Sequence, residues 1–375
     1  MISSLQIEGY RGLDRLRMSG LGRVNLLVGA NNSGKTSVLE ALYLLASGGE
    51  PSALLRVLDG RGERWEREIP SGEPWERMRY HDISHLFHGH LPNPGASFSI
   101  SARDVGAGDD NGQKICYSVE IDTKKQFDVF DDDDDDAVAQ LLVMRAEGKK
   151  PPSAPLPVPL SRGTGLSARM LERYAARPAI KSAEKNVQFI STGSLGADEL
   201  SRMWDGIVLT DSEERVLRAI RIVDPRIERI AAVERNSYRD SPARGGFKVR
   251  LAGTDLPLPI GSLGDGTWRL LAMAIALSRA GTGVLLIDEI DTGLHYTVME
   301  KMWELIKQTA EELEIQVFAT THSSDCVSSL ASICRADVTD GSDVTIQRIE
   351  PEREDAVRFT EAEISVAADR HIEVR

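Results

Sequence analysis

Cysteine is scarce in this sequence. Cys116, Cys326 and Cys334 are the three in 375 residues, and their spacing is neither that of metal ligands nor that of a disulfide framework. Reduced, buried thiols of an intracellular protein are the expectation. Aromatic residues make up 5% of the chain, which argues against a base-stacking platform for single-stranded nucleic acid. Long apolar runs are missing too. The longest, Leu270 to Leu277, falls well below the ~20 residues that span a bilayer. Met1 to Leu5 lacks the charged-then-apolar order of a signal peptide, so a cytoplasmic location is expected. Positive charge is in deficit as well. With a net charge of −13, the average field repels DNA, and contact with it needs a local basic patch or a partner.

What is present is an ordinary globular composition, 41% hydrophobic and 27% charged, long enough for one large or two modest domains. Gly29-Ala30-Asn31-Asn32-Ser33-Gly34-Lys35-Thr36 is a complete P-loop. It follows the apolar stretch Val24 to Val28 and opens onto a helix from Ser37 to Leu45, the strand, loop and helix order that gives the motif meaning. The loop turns backbone N–H groups onto phosphate oxygens, and the helix N-terminus adds its positive dipole end. Gly29, Asn31, Asn32, Ser33, Gly34, Lys35, Thr36 and Ser37 are thus candidates for binding ATP. Lys35 would reach the β- and γ-phosphates, and Thr36 would bind Mg²⁺.

Ahead of the P-loop, Ile2 to Ile7 reads as a strand turning at Gly9-Tyr10-Arg11-Gly12. Beyond it, Arg56 to Arg79 is charged and irregular. Ser97 to Ala102 and Lys114 to Thr123 read as strands joined by a hairpin turn at Asp109-Asp110-Asn111-Gly112. The acidic run Asp131 to Asp136 reads as a solvated loop, its last residue capping a helix from Ala137 to Ala146. Pro151, Pro152, Pro155, Pro157 and Pro159 form a stiff connector into a lobe, Leu160 to Val233, expected to be helical. Arg169, Arg173, Arg177, Lys181 and Lys185 could form a basic stripe, but Pro178 interrupts it and a solvated surface is the favoured reading. A further helix, Ser212 to Ile222, mixes both charge signs. From Gly246 strands return, among them Val284 to Ile287 and Gln316 to Thr320, with a helix from Val298 to Leu313 between these two. Thr360 to Glu363 is a capping box that starts a terminal helix. No internal repeat or sustained heptad pattern is present.

Val284 to Ile287 ends in Asp288-Glu289, a Walker B pair. Asp288 would hold Mg²⁺ through its water shell, leaving Glu289 to orient and deprotonate the attacking water. One helix and one strand later, Thr320-Thr321-His322-Ser323 places His322 where it could sense the γ-phosphate. Gly261-Ser262-Leu263-Gly264-Asp265-Gly266-Thr267 precedes an apolar helix, Trp268 to Ser278. A helix N-terminus binds anions, and a second phosphate site within one subunit would be redundant. That loop is therefore expected to contact the ATP of another subunit.

Together these elements resemble the ABC-type ATPase superfamily, in the branch that includes RecF, SMC and OLD proteins. The resemblance implies an α/β fold: an ABC-type P-loop ATPase head with a mixed β-sheet core, an antiparallel N-terminal β subregion and an inserted helical lobe. It implies an ATPase domain over residues 1–350, with the P-loop half at 1–130, the inserted linker and lobe at about 137–233, the second half at 246–350, and a tail at 351–375. It also implies a homodimer that sandwiches two ATP molecules. Arg11 would approach the nucleotide, Ser262, Gly264, Asp265 and Gly266 would act across the dimer, and Asp291 would be the D-loop residue. The signature departs from the usual Leu-Ser-Gly-Gly-Gln, and Asp82-Ile83-Ser84-His85-Leu86-Phe87 stands where a Q-loop is sought.

Gln188 to Gly193, Asp224-Pro225-Arg226-Ile227-Glu228 and Ile372-Glu373-Val374-Arg375 resemble OLD-like AAA ATPases of anti-phage modules. Too few residues follow His322 to hold the TOPRIM nuclease domain that many OLD proteins carry. The expectation is a slow, partner-regulated ATPase with ATP and Mg²⁺ as cofactors, controlling a separately encoded effector, plausibly such a nuclease. A RecF-like DNA-repair ATPase that binds DNA directly is the alternative.

Overall fold

The computed structural model describes residues 1–69, 76–104, 112–124, 139–147, 156–161, 164–169, 171, 187–191, 196–233, 246–254, 256–336, 343–370 and 372–374. The chain divides into two compact units, each built from several stretches of sequence.

The first unit comprises Met1–Ser19, Thr36–Lys185 and Pro351–Ala356. Its framework is a nine-stranded antiparallel sheet in the order β2-β1-β6-β7-β8-β9-β10-β5-β4. The strands are β1 (Ile2–Tyr10), β2 (Leu13–Ser19), β4 (Arg64–Ile69), β5 (Glu76–Asp82), β6 (Ser97–Asp104), β7 (Gln113–Lys124), β8 (Ala139–Glu147), β9 (Leu156–Ser161) and β10 (Gly165–Ser167). In β6, Phe98, Ile100, Ala102 and Asp104 face inward while the residues between them are more exposed, the two-residue period of a half-buried strand. Phe98 contacts the rings of Tyr10, Phe87 and Tyr117, with centroids 5.0, 5.5 and 6.3 Å away. Helix α2 (Pro51–Gly60) opens with proline in its first turn, where a missing N–H costs nothing, and buries Ala53, Leu54, Val57 and Leu58.

The expected strand pair is present, with Ala102 opposite Ile115; most of its turn lies outside the described residues, as do Asp131 to Asp136. The helix expected over 137–146 is, from Ala139 on, instead strand β8; residues 137 and 138 lie outside the described residues. Leu141 to Met144 would suit either state, and pairing with β7 on one side and β9 on the other decides. Pro157 and Pro159 belong to β9, not to a free connector. Within β9, the residues that β10 pairs with are Leu160 and Ser161. Among the described residues, β8 is the one strand paired with β9 at both prolines, a setting that tolerates a missing donor. Over its described residues the stretch 56–79, expected to be irregular, resolves into part of α2 with β4 and part of β5.

The second unit, Gly20–Lys35, Asn186–Glu350 and Val357–Arg375, is centred on a six-stranded sheet in the order β11-β15-β16-β3-β17-β18. These strands are β3 (Val24–Val28), β11 (Val187–Ile190), β15 (Val284–Ile287), β16 (Gln316–Thr320), β17 (Val344–Arg348) and β18 (Val357–Thr360). The first five in the order pair in parallel, and only β18 runs antiparallel. Every residue of β3, β15 and β16 is buried, as strands covered on both faces require. The single polar residue of β3, Asn25, is fully satisfied: it exchanges hydrogen bonds with Gly22 and also binds Val317 O and the Thr345 hydroxyl. A smaller sheet joins β12 (Ile227–Ala232), β13 (Phe247–Leu251) and β14 (Leu258–Pro259).

The helices are α1 (Lys35–Ala46), which begins at the boundary of the two units, then α3 (Ala197–Asp205), α4 (Asp211–Ile220), α5 (Asp265–Ala280), α6 (Tyr296–Glu312), α7 (Ser324–Ala336) and α8 (Glu361–Asp369). The lobe expected to be helical therefore mixes α3 and α4 with β9 to β12. Arg169 is described; Arg173, Arg177, Lys181 and Lys185 lie outside the described residues. The capping box at Thr360 and Glu363 is formed as expected.

Candidate functional site

Parallel strands place their carboxyl ends along one sheet edge, and the loops leaving adjacent strands converge there. β15, β16 and β3 are such neighbours, with Ile287 beside Ala319 and Thr320 beside Leu27. The P-loop, the Asp288-Glu289 pair and the Thr320-to-His322 segment all leave that edge.

Gly29 follows β3 with φ 143°, and a Cβ there would lie 2.4 Å from Ile349 O and 2.9 Å from Ser33 Oγ. Gly34 (φ 93°) and Asn32 (φ 62°) complete the turn. Asn31 and Asn32 are exposed, and Ser33 and Ser37 are buried. Lys35 is folded back over its own loop: Nζ donates to Gly29 O at 2.9 Å, Ala30 O at 2.7 Å and Ser33 Oγ at 3.4 Å. Burial lowers the ammonium's pKa while Asp288 and Glu289 raise it. Thr36 follows directly in α1.

Asp288 is buried, and its Oδ1 accepts a hydrogen bond from Thr320 Oγ1 at 2.7 Å. The same Thr320 oxygen accepts the Glu289 N–H at 2.7 Å. One hydroxyl thereby links the Walker B aspartate to the backbone of the next residue. Glu289 is half-buried and has φ 48°, a left-handed conformation that costs a residue other than glycine about 1–3 kcal/mol and persists only where the surroundings enforce it. Thr292 Oγ1 donates to its Oε2 at 3.2 Å. Asp291 accepts from Thr321 Oγ1 at 2.6 Å, which ties the segment after β15 to the one after β16. His322 is exposed at the end of β16, just ahead of α7. Nearby, Cys326 is buried; burial, helped by Asp291, pushes its thiol pKa up to about 12, so it is an inert core residue.

The loop ahead of α5 ends at Gly264 (φ 94°, ψ 169°), the N-cap of the helix. Ser262, Gly264 and Asp265 are exposed there. Gly266 packs too tightly for a side chain, since a Cβ would lie 2.7 Å from Gly293 O.

Arg11 belongs to a different cluster, in the first unit. Its guanidinium makes a bidentate pair with Glu63, at 2.7 and 3.1 Å, and meets Glu40 at 2.7 Å. Arg61 meets the other oxygen of Glu40 at 2.7 Å. Burial pushes the Glu40 carboxyl up in pKa against the pull of both arginines. In the 82–87 stretch, Asp82 caps a short turn by accepting from the N–H and hydroxyl of Ser84.

The fold thus gathers Lys35, Asp288, Glu289 and Asp291 around one edge and adds two residues to which sequence reasoning gave no role. Thr320 was read only as a strand end. Arg269 lies in α5, buried, with Nη1 donating to Ser191 O at 2.7 Å and Nη2 donating to the carbonyls of Asp288 and Glu289. Its signal was a lone charge in the otherwise apolar run from Trp268 to Leu277.

Comparison with known proteins accords with this arrangement. A family model described as an AAA ATPase domain matches residues 1–193. An AAA domain model whose description names the AbiEii toxin and a Type IV TA system matches residues 173–327. The chain is 22% identical over 362 residues to an ATP/GTP phosphatase of Helicobacter pylori, covering 89% of each. To the DNA replication and repair protein RecF of Acinetobacter baylyi it is 53% identical over 47 residues, which are 12% of this chain and 13% of RecF. Among solved structures, the SMC head bound to the C-winged helix domain of ScpA superimposes with a TM-score of 0.50 at 15% identity, over 96% of this chain and 98% of that one. The α/β architecture is that of an ABC-type ATPase head.

Proposed function

This chain belongs to the AAA ATPase domain family, and from that premise we propose that it binds ATP with Mg²⁺, closes as a homodimer around the nucleotide, and hydrolyses it to control a separate effector protein. The observation that carries this reading is the convergence of Lys35, Asp288 and Glu289 at the carboxyl edge of the parallel strands β15, β16 and β3. The three acceptors that now hold the Lys35 ammonium are the kind of partner that phosphate oxygens replace. Thr36 and Asp288 are hard oxygen donors. That fits Mg²⁺, which takes one or two protein ligands and fills its remaining positions with phosphate and water. Bound there, Mg²⁺ would neutralise charge on the β- and γ-phosphates.

Glu289, with its neighbour committed to the metal, orients and deprotonates the attacking water. His322 offers the γ-phosphate a hydrogen bond. Gly29 and Asn31 to Ser37 cradle the phosphates. Across the dimer, the exposed end of α5 presents Ser262, Gly264, Asp265 and Gly266, and Asp291 links the two sites. Arg11, held by Glu40 and Glu63 in the first unit, is the further candidate for contact with the nucleotide, and the proposed turnover is slow and partner-regulated.

The effector reading draws on the resemblance to OLD-like ATPases and on the AbiEii-type family match; its proposed form is a TOPRIM-type nuclease in phage defence. The short RecF match favours direct DNA binding, against which the net charge of −13 counts. Glu289→Gln tests the enzymatic half: ATP binding persists, turnover falls by about 10²-fold or more, and sedimentation shows an ATP-dependent dimer. Normal turnover in this variant sinks the assignment of the base. The same variant used as bait in its native host tests the rest. One stoichiometric protein retained after DNA digestion supports the effector reading, whereas prey lost on digestion moves the function to DNA repair.

A further inference from the structure

Glu289 stands on a turn that is unfavourable on its own. Its φ is 48°, and the turn's polar backbone is held from several sides. Asp288 N–H donates to Ile190 O, Ile290 N–H to Thr320 O and Thr292 N–H to Glu289 O. The carbonyls of Asp288 and Glu289 are bound by Arg269, which reaches Ser191 O beyond β11 with its other amino group. One planar guanidinium thus fastens three carbonyls from the ends of two neighbouring strands, a span that a single ammonium cannot copy. Arg269 is 3% exposed. Burial works against its charge, and the carboxylates of Asp288, Glu289 and Asp291 work for it.

The helix that carries Arg269 is α5, whose exposed first turn holds the Gly264–Gly266 loop. α5 meets the Glu289 turn a second time, where Gly266 packs against Gly293 O. A shift of this helix end would therefore be felt at the backbone of Glu289.

We propose that Arg269 is the positioning residue for Glu289, fixing the strained turn that presents the base and tying it to the signature helix of the same subunit. This rests on Glu289 being the base, as argued above. Arg269→Lys keeps the charge and much of the volume but loses the three-carbonyl grip. In that variant kcat falls about 100-fold, the scale of an ångström-level misplacement of a reacting group. KM for ATP and nucleotide affinity stay within about twofold, because Lys35 and the P-loop are untouched. In a Glu289→Gln background the same change costs nothing further in single-turnover hydrolysis, since the group it positions is already gone. Amide hydrogen exchange of the nucleotide-free protein reads the position directly: in Arg269→Lys the 287–293 segment loses protection, and the 29–36 segment keeps it.

Wild-type turnover in Arg269→Lys, a multiplicative loss in the double variant, or unchanged exchange at 287–293 would each overturn the proposal. If the wild-type protein hydrolyses no ATP, the proposed function falls, and the exchange comparison still decides whether Arg269 holds the turn.

Discussion

Arg11 and Arg269 are both buried, each in one of the two units, and both sit beside carboxylates, yet they are used in opposite ways. Arg11 spends its guanidinium on side chains: Glu63 on one edge and Glu40 on the other, with Arg61 closing the set. The charges there largely cancel one another. Arg269 spends its guanidinium on backbone carbonyls and offers the carboxylates of Asp288 and Glu289 only its field. A cation paired to carboxylates makes a scaffold. A cation paired to carbonyls fixes the chain itself. The second arrangement occurs where the backbone is strained and the fold exposes strand ends, which is where chemistry is expected.

This contrast can be broken by substitution. The largest effect is expected on the catalytic side: Lys35→Ala should weaken ATP binding by about 100-fold or more, since charge-assisted bonds are worth about 1.5–3 kcal/mol each. Titration with a fluorescent ATP analogue checks it, and undiminished affinity would remove the P-loop assignment. Arg11→Ala should act mainly on stability, destabilising the fold by about 1–3 kcal/mol because Glu63 loses its bidentate partner and Glu40 keeps Arg61 alone. Chemical denaturation measures this; a loss under about 1 kcal/mol would show that the cluster is no scaffold. Thr320→Val should fall between the two classes. It strips the hydroxyl that joins Asp288 to the Glu289 N–H, costing about 1–3 kcal/mol of stability and lowering kcat more than it raises KM. An unchanged kcat would mean that Arg269 alone suffices to hold the turn. Thr360→Ala, far from either cluster in sequence, should cost about 1 kcal/mol through the lost helix cap and leave turnover alone, which makes it the control for nonspecific destabilisation.

Much of the site was legible in the residues. The P-loop between an apolar strand and a helix, the buried strand ending in Asp288-Glu289, and Thr320 to His322 one helix and one strand later all lie where their spacing placed them. These motifs are local: strand, turn and helix follow each other within a few residues, so chain order carries the signal. The first unit was harder to read. β8 reads as a helix because Leu141 to Met144 has no decisive period, and β9 reads as a connector because proline by itself argues against a strand, whereas its pairing with β8 depends on residues more than a turn away in sequence. Arg269 was passed over for a related reason. Its partners are carbonyls of Ser191, Asp288 and Glu289, distant in sequence and invisible in side-chain patterns.

The sequence by itself determined that the chain has a nucleotide-type phosphate loop, an acid pair at a strand end, a glycine turn opening an apolar helix, and an overall charge unsuited to holding DNA by its average field. Each follows from residue type and short-range spacing, which are properties of the chain before it folds. The tertiary structure decided which strands are neighbours, and hence that Lys35 shares an edge with Asp288 and Glu289. It also decided that Arg11 is bound up with Glu40 and Glu63, and that Arg269 supports the turn beneath Glu289. Those facts depend on sheet order and on hydrogen bonds between distant segments, which only form once parallel strands have paired and their loops have been brought to a common edge.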